Sequence, residues 1–526
     1  MWLGNKFIVI ISEPDYLEKL ISNKDCWEKD TIYDVLKPYV GEGLITASAE
    51  KWKKNRKLLN PTFKQKILNG FVPVFCKYST ILVDILEKGE ENSNFNINQK
   101  FMASTLDTTC DPIMKVSVKK VSTRRMLDRV QRLACVCITG AMRTCPTRAL
   151  EIITDLTPLH LVIDRVAHEA ILRLSKEGTG NERIKSQRVW SSLNDYISSA
   201  NLPSDLMIKK AVMGVRVDAQ ISSNTFGDWL DRLMEFCSLR ITRFIYRPDF
   251  IFYLIHGKAF AYALGNLTTF TKTVFERQKQ IFNQEMAVMQ EGTHLEDEEQ
   301  KYPTFLKLLL EVSYNGGQLS DQEIQEEINT FIAAATDTSA TTLSYCCLLL
   351  AMHPEYQQKI YEEAVGILGE DRDVTPSDIP KFQFLDMCLK ETLRVFPVIP
   401  FVMRIASADI ELDNFVIPEG TSMIYSIFTL HRSPKYWKDP LKFNPYRFSP
   451  EESAKMHPYS YMPFMKGPRT CIGQKYSFMV MKVMLTKVIR RFQFETEYKS
   501  VEEVELKLNL AIRPKNGFKL TLKRRI

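Results

Sequence analysis

The residues best suited to chemistry lie in Phe464-Met-Lys-Gly467-Pro-Arg469-Thr-Cys471-Ile-Gly473, a glycine-containing run that opens into an apolar-periodic segment at about 472–491. A cysteine at a helix N-terminus sits among unpaired N–H groups at the positive end of the helix dipole, which favours its thiolate. Gly467 and Gly473 allow tight turning and close backbone approach to a flat ligand, and Arg469 suits an anionic group on that ligand. A lone cysteine is most often a buried structural residue. Two weaker pairs accompany the loop. Trp52 and Arg56 are four apart and share a helix face, a pattern that an amphipathic surface helix also explains. Glu391 and Arg394 are three apart, an arrangement usually found as a solvated pair of little worth.

The elements that must position these residues are mostly helical. Lys6–Ser12 is short, β-branched and bounded by Glu13-Pro14, so it reads as a strand. Helices are expected at about 50–59, 68–88, 96–110, 225–240 and 258–290. An acidic loop follows at 290–301. Ser320-Asp-Gln-Glu323 is a capping box that opens a helix of some thirty residues, which His353-Pro354 ends. Further helices are expected at 355–368 and around Glu391 and Arg394, and Asp409–Ile427 reads as a β-hairpin unit. The last helix carries Phe478, Met481, Leu485, Val488 and Phe492 on one stripe.

The cysteine run resembles the ligand loop of the cytochrome P-450 haem-thiolate monooxygenases, and the resemblance extends to other positions. Glu391-Thr-Leu-Arg394 is similar to that family's E-x-x-R pair, with Arg447 in Phe443-Asn-Pro-Tyr-Arg447-Phe448 as its structural partner. Trp52-x-x-x-Arg56 resembles the family's propionate-binding helix, and Arg404 follows Phe396-Pro397 at the spacing of another propionate-binding arginine. Ala334-Ala-Thr-Asp337-Thr338-Ser339 resembles the oxygen-activation motif, in which an acid and a hydroxyl relay protons to bound dioxygen. Gly41-Glu-Gly43-Leu and Arg56-Lys-Leu-Leu-x-Pro61-Thr-Phe are similar to insect members of family four. The resemblance implies a mainly α fold with small β-sheets, the cytochrome P-450 fold. It implies haem b with Cys471 as its metal ligand, and Trp52, Arg56, Arg404, Phe464, Gly467, Arg469 and Gly473 around it. Asp337 and Thr338 are implied to be catalytic. Ala334 stands where many family-four members carry the Glu that esterifies haem, so a non-covalent haem is expected. Ala335 replaces the usual glycine.

Composition sets the outer limits. The 526 residues are 45% hydrophobic and 25% charged, with 30 Phe and 20 Tyr, enough for a large core and unlike a disordered or disulfide-stapled chain. The eleven Cys include no C-x-x-C pair, which points to a reducing compartment, and the seven His show no metal-ligand spacing. No apolar run approaches the roughly 18 residues of a membrane span, and no signal peptide opens the chain, so it is expected to be soluble and not secreted.

The net charge of +7 is confined to 111–210, which hold 17 basic and 10 acidic residues. The family pattern breaks at Cys110 and resumes at Ala211. Between them, Met114-Lys-Val-Ser-Val118 looks like a copy of Met213-Gly-Val-Arg-Val217. Arg129–Glu151 resembles the linker that follows the polymerase domain of non-LTR retrotransposon reverse transcriptases. The block has no polymerase aspartate pair, and Cys135, Cys137 and Cys145 have no His partners. The expected organisation is therefore 1–110 and 211–526 as one haem monooxygenase domain, with 111–210 as a helical or irregular insertion.

The resemblance implies electrons from NADPH through a cytochrome reductase, with cytochrome b5 as an optional donor, O2 and an apolar substrate; no nucleic-acid partner is expected. Lys466, Lys475, Lys482, Lys487, Arg490 and Arg491 are expected to form the positive docking face. Location at the cytoplasmic face of the endoplasmic reticulum is implied by family, although Trp2–Ser12 already matches the first sheet where an anchor would precede it. Two alternatives stand beside this function: an inactive product of a transposon-disrupted gene, and a reductase-independent haem isomerase. Retention of Asp337-Thr338 argues against the isomerase.

Overall fold

The capping box holds. Ser320 and Glu323 exchange both hydrogen bonds and open a helix over Asp321–Met352 that ends at His353. Its 32 residues span about 48 Å at 1.5 Å per residue. The helix is buried almost all round from Glu327 to Ala351, which makes it the axis of the core. A computed structural model describes residues 2–3, 6–88, 97–114, 225–290, 304–316, 319–508 and 510–525. The chain divides into two units, Met1–Lys115 with Val217–Ile526, and Val116–Arg216. The second unit lies outside the described residues, and with it nearly all of the block read as inserted.

Helix Ile97–Met114 carries Pro112 and so runs past Cys110, where the insertion was expected to begin. The expected helix at 68–88 is broken into Gln65–Gly70 and Val72–Lys88. Helix Asp249–Gln290 is 42 residues long, and Phe305–Tyr314 is a further helix that the sequence did not announce.

Strand Lys6–Ile11 pairs in parallel with Ser422–Ser426, which pairs antiparallel with Phe401–Ile405; Trp2–Leu3 completes a four-stranded sheet. The region expected as one hairpin unit is therefore two structures. Ile410–Leu412 and Phe415–Ile417 form a small hairpin, while Ser422–Ser426 joins the main sheet. The strand between two neighbours buries Met423 and Tyr425 on one face and Ser422 on the other.

The last helix, Gln474–Arg491, corrects the single-stripe expectation. Residues from Met479 to Arg490 are all buried, cations included. Lys482 pairs with Asp386 at 2.6 Å and Lys487 with Asp373 at 2.5 Å. Arg490 donates to the carbonyls of Gly369, Glu370 and Arg372, and Arg491 pairs with Asp371. Four of the six residues assigned to a docking face are thus internal braces or already paired. Only Lys475 is exposed and Lys466 half-buried among them without such a partner.

Candidate active site

Cys471 lies two residues before Gly473, the cap of helix Gln474–Arg491, and its thiol receives the N–H groups of Gly473 and Gln474. Its own N–H donates to the Phe464 carbonyl at 2.9 Å, which closes the loop. Thr470 reinforces the closure, with its hydroxyl near the carbonyls of Phe464 and Met465. The Phe464 ring packs on Phe478 at 5.7 Å. The Cys471 side chain is accessible from outside yet crowded by protein on its other sides. That crowding raises the thiol pKa and outweighs the two N–H donors and nearby Arg56, which pull it down. The helix terminus acts as expected but does not by itself outweigh burial; a metal cation bound by the sulfur would supply the missing stabilisation.

The two glycines differ. Gly467 has φ +71°, and a Cβ there would lie 2.5 Å from Ile21 Cγ2, so glycine is required by helix Pro14–Ser22 rather than by a ligand. Gly473 has φ −83°, and a Cβ would meet only Cys471 Sγ at 3.8 Å. Its backbone is one that any residue can adopt.

Beside the loop is a group of cations. Arg404, on strand Phe401–Ile405, is 4% exposed and donates to the neighbouring Met403 carbonyl at 2.9 Å. Arg469 donates Nη2 to the carbonyls of Ala47 and Ser48, while its buried Nε and Nη1 have no partner. Lys29, which no local pattern singled out, bridges Arg404 through the backbone and stacks over Tyr33 at 4.1 Å. Burial lowers the pKa of all three; Arg404 and Arg469 add to the lowering at Lys29 and Arg404 adds to it at Arg469, while Glu28 and Tyr33 pull both arginines back up. No ion pair reaches any of them among the described residues. Arg404 is buried and Lys29 and Arg469 are half-buried, and guanidinium nitrogens left without a partner, as Nε and Nη1 of Arg469 are, are costly unless an anion completes them. Paired carboxylates on a flat ligand fit that need.

Helix Ala49–Leu59 supports both parts. Trp52 is buried, with the Arg469 guanidinium 4.8 Å from its ring and Trp27 against its edge. Arg56 donates to the Thr470 carbonyl at 2.7 Å and to Asn60, so it props the cysteine loop.

On the long helix, Ala334, Ala335, Asp337 and Thr338 are only half-buried, flanked by the buried runs Phe331–Ala333 and Ser339–Ala351. The four share one face and make the only such break in this stretch of helix. Thr338 donates its hydroxyl back to the Ala334 carbonyl at 2.7 Å. Asp337 Oδ1 is ion-paired to Arg513 and accepts from Thr341 at 3.4 Å. Arg513, like Lys29, was not evident beforehand, because its partner is 176 residues away.

The Glu391–Arg394 pair is wholly buried, not solvated. Arg394 donates Nε and Nη2 to the two carboxylate oxygens at 2.7 and 2.8 Å. Its remaining N–H groups go to the carbonyls of His431, Pro440 and Lys442. Asn444 N–H and Arg447 reach Glu391 Oε1 at 2.9 and 3.3 Å. This lock fixes the 431–447 segment that leads toward the cysteine loop.

The sequence model of the family described as Cytochrome P450 matches residues 1–145 and 182–522. Cytochrome P450 4c3 of Drosophila melanogaster is 27% identical over 99% of this chain and 81% of its own length. Cytochrome P450 4V2 of Rattus norvegicus is 28% identical over 100% and 82%. Cytochrome P450 4c21 of Blattella germanica is 27% identical over 100% and 85%. The crystal structure of the cytochrome P450DA heme domain aligns with a TM-score of 0.67 at 17% identity, covering 100% of this chain and 88% of that one, a likeness of fold. A cysteine loop, a buried cationic cradle for a flat dianion and a match across nearly the whole chain agree, and the protein belongs to the cytochrome P450 family, with haem as its cofactor and a monooxygenase's oxidoreductase chemistry.

Proposed function

We propose that this chain oxidises an apolar organic substrate, fatty-acid-like, hormone-like or xenobiotic, with electrons from NADPH passed through a cytochrome reductase and, as a second donor, cytochrome b5. The balance is RH + O2 + 2 e− + 2 H+ → ROH + H2O. The observation that carries it is Cys471, reachable and hydrogen-bonded, beside the cations Arg404, Arg469 and Lys29, of which Arg469 has two buried nitrogens without a partner. When bound, haem supplies the redox centre at which O2 is activated. Cys471 ligates the metal, and Arg404, Arg469 and Lys29 hold the carboxylates. Arg56 and Phe464 shape the loop. Asp337 and Thr338 deliver protons on the half-buried face, Thr338 by exchanging its bond to the Ala334 carbonyl. Ala334 offers no carboxylate, so the haem is held without a covalent bond.

The test is the reduced carbon-monoxide complex. Wild type gives the long-wavelength band of a thiolate-ligated haem, Cys471→Ser loses it, and acidified organic solvent extracts the haem whole. A band retained in the variant refutes the assignment. NADPH-dependent turnover with reductase separates monooxygenase from isomerase.

Membrane association is part of the reading. Phe250 and Leu254 are 74% and 82% exposed, one turn apart on helix Asp249–Gln290, with Ile245 and Ile255 exposed nearby. Such a patch favours an apolar surface. Among the described residues no helix is long and apolar enough to cross a membrane. Co-flotation with lipid vesicles, lost in Phe250→Asp/Leu254→Asp, is the expected result, and endoplasmic reticulum is the site the family-four likeness favours.

The foreign block is likewise a proposal. The family match skips 146–181, inside the 111–210 that carry the charge excess. We read 111–210 as the insertion; the family match takes in 111–145 and 182–210, so of that block it supports only 146–181. Abundant transcripts keeping 146–181 in frame, with deletion of that stretch abolishing haem retention, would overturn it.

A further inference from the structure

Arg513 lies on strand Ile512–Pro514 of the C-terminal hairpin. Its Nη2 donates to Asp337 Oδ1 and lies 3.9 Å from Asp231 Oδ1 on helix Thr225–Thr242. Thr341 also reaches Asp337 through Oδ1, so both contacts leave Oδ2 aside. The hairpin is tied to the same helix a second time, by Leu510 N–H donating to Ser238 Oγ at 2.7 Å. Two carboxylates therefore share one guanidinium in a partly buried place, the side chains being 13% and 36% exposed. One cation cannot neutralise both. Burial pushes Asp231 up to about 7, with Asp337, Glu235 and Asp228 adding to the rise and Arg513 opposing it.

We propose that Arg513 is a positioning residue for the proton-delivering acid. It holds Asp337 by one oxygen while Asp231 competes for the same guanidinium. The C-terminal hairpin and helix Thr225–Thr242 thereby set whether Asp337 is tied or free to carry a proton. This rests on Asp337 acting as the proton donor, as proposed above.

The test uses haem-loaded, substrate-free protein with reductase, NADPH and O2, following NADPH consumption in H2O and D2O. Arg513→Gln frees Asp337, raising the rate about threefold and lowering the solvent isotope effect, and Arg513→Lys returns both toward wild type. Asp231→Asn removes the competitor and moves both the other way. In an Asp337→Asn background, Arg513→Gln is silent. A second readout needs no turnover: in haem-free chain, the Tm losses of Arg513→Gln and Asp337→Asn are sub-additive, because each removes the same pair. If Arg513→Gln does not fold, Arg513→Lys completes that cycle. Additive Tm losses, or an Arg513→Gln effect that persists without Asp337, overturn the proposal. If Asp337→Asn slows consumption but Arg513→Gln does not change it, this proposal alone fails. If Asp337→Asn itself changes nothing, the proton-donor reading fails and takes this one with it.

Discussion

The Glu391 lock and the Arg404–Arg469 cradle are both built around a buried arginine, Arg394 in one and Arg404 in the other, but their bookkeeping differs. In the lock, Arg394 has a bidentate carboxylate and three carbonyls, and Glu391 also accepts from Asn444 N–H and has the Arg447 guanidinium within ion-pair distance at 3.3 Å, though not hydrogen-bonded to it. In the cradle, among the described residues, Arg469 keeps its buried Nε and Nη1 unpartnered, and Arg404 donates to its neighbour's carbonyl. A buried charge satisfied from within the chain holds the fold together, whereas one left unsatisfied marks where something else must bind. The two regions should therefore fail in opposite ways.

The largest effect belongs to the lock. Glu391→Ala strands Arg394 in the core, and breaking a buried pair from one side costs about 3–5 kcal/mol. Denaturant titration of haem-free protein should show that loss. A loss below about 1 kcal/mol would mean that water enters and the lock is not a lock. In the cradle, Arg469→Gln should change haem-free stability by less than about 1 kcal/mol, since it removes an uncompensated cation. Haem transfer to an apo-globin acceptor should nevertheless speed up by roughly ten- to hundredfold, the worth of charge-assisted hydrogen bonds. Equal losses in the two measurements would erase the distinction between the regions.

Glu327 is an intermediate case, a fully buried carboxyl that meets neutral donors only. Leu44 N–H and Asn55 Nδ2 each donate to it at 3.1 Å, and Asn55 Oδ1 is left over. Burial raises its pKa from 4.5 to about 7, more than the two donors lower it. The folded state thus holds a proton that the unfolded state gives up. This contribution is most favourable below pH 4.5 and is lost as pH rises toward 7. Glu327→Gln should flatten stability over that window and gain about 1–3 kcal/mol at pH 8, with Asn55 turned so that its Oδ1 accepts the new amide. An unchanged slope in pH-dependent unfolding would show that Glu327 stays ionised.

What could be read from residues alone was what lies within one element. The capping box, the cysteine loop and the E-x-x-R pair each fit inside a turn or two of chain, and the structure has each in place. Relations made by packing were not legible. Lys29 meets Arg404 through a backbone bridge that no pattern around position 29 signals. Lys482, Lys487 and Arg490 look like a solvated face until the helix carrying them proves to be interior, with acceptors from 369–386 brought to it. Arg513 could be paired with Asp337 only after the fold had brought the hairpin to the long helix.

The parallel pairing of Lys6–Ile11 with Ser422–Ser426 has a consequence for timing. Strand Lys6–Ile11 waits on the ribosome for a partner made more than four hundred residues later, and Lys29 waits likewise for Arg404 and then for Arg469. At about 5–20 residues per second, that interval is on the order of tens of seconds. Loop closure over such a span is slow to nucleate. The cradle therefore cannot exist on a nascent chain, and the cofactor must arrive after synthesis is nearly complete.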